Sequence, residues 1–470
     1  MGRPRIVVVG AGSQRSIAQF ESFVHAGHGP LKGAEVVLLD IQEEHLRIVE
    51  DYATRLATGA SIDISFEATT DRRRAFDGAD YILTTFRPGT FDQLEQDEKI
   101  PPRHGLQGNE TVGVGGIFMA CRVAPVLRAI LADADELCPA ATIINYTNPT
   151  QYVADMVGRL SDMRVISLCD GHLDVYSSLA HVLGVDRSEI EISVAGTNHA
   201  IWVMDFTVGG QEGYPLLHER LAELEPEELS AMLAPPSFVR LTDWAPQPRE
   251  LVYQQLIPHY QFEFSLKLLE IYGLLAGPRY YWRYLLEQDA IVAAQRAGTH
   301  VTMSDFYRRA EPTAFEGLED RLAVQLEQLR RATESGVASS RSHAEIAVRA
   351  ISSMVNDDGG RFVVNVPNRG AISNLPDDAI VEISAIVDAQ GAHPLAVGPL
   401  PSPLIAMQLG LVHAEQLAVE AALTGDRRTL LQALVSHPTT HSVAAAEACI
   451  DDMLAAQAEW LPQFATAVPA

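Results

Sequence analysis

The chain has 470 residues, 47% of them hydrophobic, enough to bury a large core and to form two or three structural units. Its 61 acidic against 35 basic residues give a formal net charge of -26. That balance offers no basic surface to neutralise phosphates, so nucleic acid and anionic membranes are poor partners and a small-molecule substrate is expected. Met1-Gly2-Arg3-Pro4-Arg5 leads at once into Ile6-Val7-Val8-Val9, too short and too quickly broken by glycine for a signal peptide. No apolar run approaches the roughly 18 to 20 residues that span a bilayer, and the expectation is a soluble, cytoplasmic protein. The four cysteines, Cys121, Cys138, Cys169 and Cys449, show no metal-finger or redox spacing and read as free thiols.

In chain order, strands are expected at Arg5 to Val9, Glu35 to Leu39, Tyr81 to Thr85, Thr142 to Asn145 and Val165 to Leu168, alternating with helical stretches. Their near-continuous apolar character fits burial on both faces, hence an α/β fold opening on a Rossmann-like, doubly wound parallel sheet. That domain is placed at residues 1–195. Beyond Gly196 a Pro-interrupted helical stretch from about 213 to 250 precedes amphipathic helices, a β-rich block from Arg361 to Val397, and Ala/Leu-rich terminal helices. A C-terminal α+β domain, 196–470, for substrate binding and oligomerisation follows. Ala234 to Pro248 reads as a mobile loop, either a lid or a subunit contact.

Gly10-Ala11-Gly12-Ser13 follows the first strand directly and opens a helix, where a dinucleotide pyrophosphate meets exposed N–H groups. Ser16 stands where the usual fingerprint has its third glycine. Asp40 ends the second strand, where an acid binds the adenosine ribose and favours NAD over NADP. Taken singly, the glycines fit an ordinary turn and Asp40 a helix N-cap. On one βαβ unit they predict a dinucleotide site, with Gly10, Gly12, Ser13, Asp40, Thr85 and Asn148 as candidate cofactor contacts.

Asn145-Tyr146-Thr147-Asn148-Pro149 and Cys169-Asp170-Gly171-His172 both follow strands, at the carboxyl edge where open α/β sheets bind ligands. Cys169 can supply a thiolate, and His199 in Gly196-Thr197-Asn198-His199 an imidazole, to one divalent ion with open positions. A buried free Cys and a hydrogen-bonded core His account for the same residues, and spacing alone does not choose.

Pro139 to Cys169, with Asn148-Pro149 and Arg164-x-Ile166-x-x-Cys169, resembles the signature of glycoside hydrolase family four, departing at Ser167, where the family more often has Gly or Asn. Gly10 to Ser13, Asp97-Glu98-x-Ile100-Pro101, Glu110-Thr111-x-Gly113-x-Gly115-Gly116 and Asn198-His199 are similar to that family too. So are Val363-Val364-Asn365-x-x-Asn368-x-Gly370, Leu375-Pro376-Asp377-Asp378 and Val397-Gly398-x-Leu400-Pro401. The resemblance covers nearly the whole chain and is weak only from about 213 to 300.

The resemblance implies a lactate/malate dehydrogenase-like sheet and a glycosidase needing NAD and a divalent metal, Mn2+ foremost, an exception to two-carboxylate glycoside hydrolysis. It implies hydride removal at C3, loss of the C2 proton, elimination at C1, addition of water and return of the hydride, with no net redox change. Cys169 and His199 match the metal ligands. Asp170 matches the general acid, with helix capping as its plain alternative. Asn148 matches a substrate-hydroxyl contact and His172 extends a Cys-x-Gly-His pattern of some members, while Glu110 is a candidate to orient substrate or a metal-bound water and Arg279 to contact the sugar; an Asn-Pro turn, a first-turn surface histidine, a cap on the glycine turn and a solvated arginine are their ordinary alternatives. Members with a tyrosine base present it some sixty residues after the histidine, which selects Tyr260; Tyr253, Tyr272, Tyr280 and Tyr281 remain open, any of them equally core aromatics.

Members acting on 6-phosphorylated sugars carry an arginine where this chain has Leu94, so an unphosphorylated glycoside is expected, including one with a carboxylate or sulfonate at C6 as in NAD-dependent sulfoquinovosidases. The resemblance further implies a homodimer or homotetramer. Two other readings are a 2-hydroxy-acid dehydrogenase, which would want an Asp-His relay and no thiolate ligand, and a silent NAD-sensing protein, which would need none of Cys169, Asp170 or His199.

Overall fold

The computed structural model describes residues 3–27, 29–225, 228–229, 262–277, 279–300, 302–310, 315–335 and 345–465. The loop expected at 234 to 248 and two candidate bases, Tyr253 and Tyr260, lie outside the described residues.

The strands are β1 Arg5–Val9, β2 Glu35–Leu39, β3 Ser65–Thr69, β4 Tyr81–Thr84, β5 Thr142–Asn145, β6 Arg164–Leu168, β7 Ile190–Thr197, β8 Ala200–Val208, β9 Gln211–Glu212, β10 Leu275–Gly277, β11 Gly360–Pro367, β12 Ile380–Asp388 and β13 Gly391–Pro394. Among the described residues they form one sheet in the order β10-β8-β7-β12-β11-β6-β5-β4-β1-β2-β3, with β13 on β12 and β9 on β8. From β3 to β6 every neighbouring pair is parallel. The order 3-2-1-4-5-6 is the dinucleotide-binding arrangement, and its direction reverses between β1 and β4. From β6 onward the pairing turns antiparallel, through β11, β12, β7, β8 and β10.

The pleat sends alternate residues of each strand to opposite faces. Ile6 and Val8 of β1 enter one core, Val7 and Val9 the other. The first core also holds Val364, Val366, Val381 and Ile383, so apolar packing is continuous across position 195. β7 itself spans the boundary expected at 195/196. The second core is closed by the helices Gly113–Leu137 and Ser402–Thr424, through residues such as Ile117, Phe118, Ala418 and Val419.

Contrary to the expectation that no apolar run approaches bilayer length, Gly113–Leu137 is, by length and composition, apolar enough to cross a membrane; 78% of its most apolar window is buried inside the fold, because it is a core helix. Arg122 interrupts its apolar run and is itself buried, both terminal nitrogens meeting Asp97. The four cysteines are free, and all are buried.

Candidate active site

At the reversal point Gly10 leaves β1 with φ +91°, and a Cβ there would lie 2.7 Å from the Thr85 carbonyl oxygen, so the turn admits only glycine. The N–H groups of Gly10 and Ala11 donate to the Leu39 carbonyl at 2.8 and 3.1 Å. Asp40 fixes the rest of the turn: Oδ2 accepts from the Gly12 N–H at 2.9 Å and Oδ1 from the Gln42 N–H at 3.0 Å. Ser16 replaces the missing third glycine by turning inward, its Oγ donating to the Gly10 carbonyl at 3.2 Å. Ser13 precedes the helix Gln14–Ala26 without a side-chain cap bond, which leaves first-turn N–H groups to an anion. Ile41, missed by the sequence reading, stands 93% exposed beside Asp40, an apolar side chain suited to cover a heterocycle.

Thr85 is half-buried and its N–H donates to the Val9 carbonyl at 2.8 Å, holding it next to Gly10. The following loop is built around Asn145. Its Oδ1 accepts from Thr84 Oγ1 at 2.7 Å and the Thr147 N–H at 2.9 Å, while Nδ2 donates to Ser167 Oγ at 3.0 Å. Three parallel strands are thereby tied together just where Asn148, half-buried, emerges at the carboxyl edge.

One strand further on, Cys169 follows β6. His199, thirty residues away in sequence, sits in the two-residue turn between β7 and β8, and its Nε2 lies 3.0 Å from Cys169 Sγ. Burial, then the charges of Glu382 and Asp170, push the Cys169 thiol well above its ordinary range. Burial also lowers His199 to about 4, against the opposing pull of Asp170 and Glu110. Buried Glu382 is raised to about 7, mainly by desolvation.

A thiol and an imidazole converging within a carboxylate-rich surround suit a divalent cation, which would favour the thiolate and offset the negative charge. Glu382 Oε1 and Asn198 Oδ1 are buried oxygens with no protein partner among the described residues, as expected where positive charge belongs. No group of three or more His, Cys, Asp or Glu arranged for an ion occurs among the described residues. Cys169 and His199, if they held an ion, would leave positions for substrate oxygens, and a thiol with an imidazole is a donor set that fits a catalytic ion.

Asp170 is half-buried beside this pair; the helix Leu173–Leu183 begins after His172 with no side-chain cap bond. His172 is buried, edge-on to Tyr176, rather than the surface histidine of the alternative reading. Glu110 is paired with Arg87 at 2.6 Å, and the glycine turn is capped instead by Asn109, whose Oδ1 accepts from the Thr111 and Val112 N–H groups. The helix Arg279–Leu286 starts at Arg279, whose side chain is outside the described residues, as is that of Tyr280. Tyr281 is buried edge-on to His199, and burial raises its phenol well above the ordinary range; Tyr272 packs on Trp202. The Asp97-Glu98 motif is structural: Asp97 binds Arg122, and Glu98 accepts the Met303 and Ser304 N–H groups at 2.8 Å each.

Residues 5–185 match the family 4 glycosyl hydrolases and residues 194–440 the family 4 glycosyl hydrolase C-terminal domain. The chain belongs to family 4 of the glycosyl hydrolases. Among family 4 relatives it is 32% identical over 464 residues to a probable 6-phospho-beta-glucosidase of Bacillus subtilis (strain 168), covering 98% of each chain. It is 26% identical to an alpha-galactosidase of the same organism, covering 92% of this chain and 94% of that one. A 6-phospho-alpha-glucosidase from gut microorganisms, crystallised with NAD and Mn2+, shares the fold with a TM-score of 0.79 at 24% identity, over 98% of this chain and 100% of that one. Family 4 membership makes this chain a glycosidase rather than a 2-hydroxy-acid dehydrogenase.

Proposed function

We propose that this chain hydrolyses an unphosphorylated glycoside in the cytoplasm by reversible oxidation of the sugar at C3, using NAD and a divalent ion, Mn2+ foremost. The observation that carries the mechanism is the Cys169–His199 pair, 3.0 Å apart, on the carboxyl edge that also presents the Gly10–Asp40 turn. When bound, the nicotinamide supplies a reversible hydride acceptor and the ion a Lewis acid that makes the C2 proton acidic.

The protein's own groups do the rest. The Gly10–Ser13 backbone and the helix behind it hold the pyrophosphate, Asp40 the adenosine ribose, and Ile41 covers the adenine. Asn148, Glu110, His172 and Arg279 orient the sugar. Tyr260 takes the C2 proton, and Asp170 delivers a proton to the glycosidic oxygen as the C1 bond breaks. Assembly as a homodimer or homotetramer belongs to the same reading.

Leu94 supports the choice of substrate. It lies buried in the helix Phe91–Lys99, where phosphoglycoside-cleaving members place an arginine, and an aliphatic side chain cannot bind a phosphate dianion. The relatives act on both kinds of sugar by name, so family membership leaves the point open. Initial rates on matched chromogenic glycosides test it, each with and without a 6-phosphate and including C6-carboxylate and C6-sulfonate sugars. kcat/KM is expected to favour an unphosphorylated member by at least about tenfold, some 1.4 kcal/mol at the transition state. Preference for the 6-phosphate would overturn the assignment.

A further inference from the structure

His199 adopts φ +62°, the left-handed region, which costs a non-glycine residue about 1–2 kcal/mol. The turn sequence does little to offset this, since the turn has His where an Asn-Gly hairpin would place glycine. Two residues far away in sequence hold it instead. From β12, Glu382 Oε2 accepts from the His199 N–H at 2.9 Å and from Asn198 Nδ2 at 3.0 Å. From the helix Ser402–Thr424, Gln408 Oε1 accepts from the Thr197 N–H at 2.8 Å while its Nε2 donates to the Ala200 carbonyl at 2.7 Å. The amide of Gln408 thus bridges β7 and β8 at the base of the turn.

Apolar packing calls for neither residue; both serve backbone groups of the turn. Glu382 and Gln408 are both fully buried, and Glu382 sits mid-sheet, opposite Asn365 on β11 and Gly196 on β7. A buried carboxylate with one oxygen unpartnered costs stability that a valine at the same place would not. What both residues do share is the turn carrying His199, and through it the 3.0 Å approach of Nε2 to Cys169 Sγ.

We propose that Glu382 and Gln408 form a two-sided clamp that aims His199 at Cys169 and so sets the affinity of the site for its divalent ion, Glu382 also contributing negative charge to the ion's surroundings. Both are positioning residues. The inference rests on the reading of Cys169 and His199 as metal ligands, and the experiment separates the two.

Chelator-stripped protein is titrated with Mn2+, free ion being followed by electron paramagnetic resonance. NAD+ affinity and the denaturant midpoint of the metal-free protein are measured alongside. Glu382→Gln keeps the shape and removes the charge; Gln408→Met keeps the volume and removes both bonds. Each variant is expected to bind Mn2+ about 10- to 100-fold more weakly. NAD+ affinity should stay at the wild-type value, the midpoint should fall by no more than the loss of the buried bonds removed, and kcat should recover at saturating Mn2+. Wild-type Mn2+ affinity in both variants would overturn the clamp. So would parallel loss of NAD+ affinity and stability, which marks a structural role only. Should Glu382→Gln fail to fold, Gln408→Met carries the same comparison. Wild-type protein that takes up no Mn2+ would overturn the ligand reading beneath it.

Discussion

Replacing Cys169 with alanine is expected to lower kcat/KM by about 10³-fold or more while leaving NAD+ binding in place. In the proposed function the thiol is one of the two side chains that hold the cation, and its Sγ is 3.0 Å from His199 Nε2. One imidazole does not retain a divalent ion that must also polarise the sugar. Losing the Lewis acid removes several kcal/mol of transition-state stabilisation, and each 1.4 kcal/mol or so is a factor of ten. The Gly10–Asp40 turn proposed for the pyrophosphate is untouched, because Gly10 and Gly12 are set by Leu39, Thr85 and Asp40. Cys449→Ala is the control: that thiol is also buried, pushed up to about 12 by desolvation, and packs in the core away from His199. Its loss should leave kcat/KM within a small factor of wild type. Full activity in metal-free Cys169→Ala protein would sink the ligand assignment.

The largest effect on stability is expected at Asp97, and it should arise without any catalytic role. Arg122 and Asp97 are 1% and 0% exposed, joined through both terminal guanidinium nitrogens, and Gln457 Nε2 adds a bond to Asp97 Oδ1 at 2.9 Å. Asp97→Ala leaves the Arg122 charge buried and uncompensated, a loss of about 3–5 kcal/mol. The double variant Asp97→Leu, Arg122→Met removes both charges and should recover most of that loss. Equilibrium unfolding in urea measures both. A single variant no less stable than wild type would refute the account of this motif, as would a double variant no better than the single.

β1, β2 and β5 are legible in the sequence to the residue because strands buried on both faces leave an uninterrupted apolar run. β3 is not. Ser65–Thr69 lies at the sheet edge, half-exposed along most of its length, and its mixed composition carries no such run. The hairpin β7–β8 escaped for another reason: its turn lacks the usual glycine and depends on Glu382 and Gln408, roughly two hundred residues further on. Those two residues were illegible for the same cause, since only the antiparallel pairing of β12 with β7 brings Glu382 to the turn. Motifs identified the family and left roles unresolved. Asp97-Glu98 marks the family yet serves an ion pair and a helix start, whereas Cys169 and His199, which spacing alone left undecided, lie side by side.

Hydrolysis in deuterated water tests the central claim most directly, because elimination through a C3 ketone requires the C2 proton to leave, whereas direct displacement at C1 never touches it. With NAD+ and Mn2+ present, the released sugar should carry close to one deuterium at C2 by NMR, since the base that returns the proton exchanges with solvent. No net NADH should accumulate, because the hydride leaves and returns to the same carbon. A product with protium retained at C2, formed at the full hydrolytic rate, would contradict the oxidation–elimination mechanism and the role given to the Cys169–His199 site.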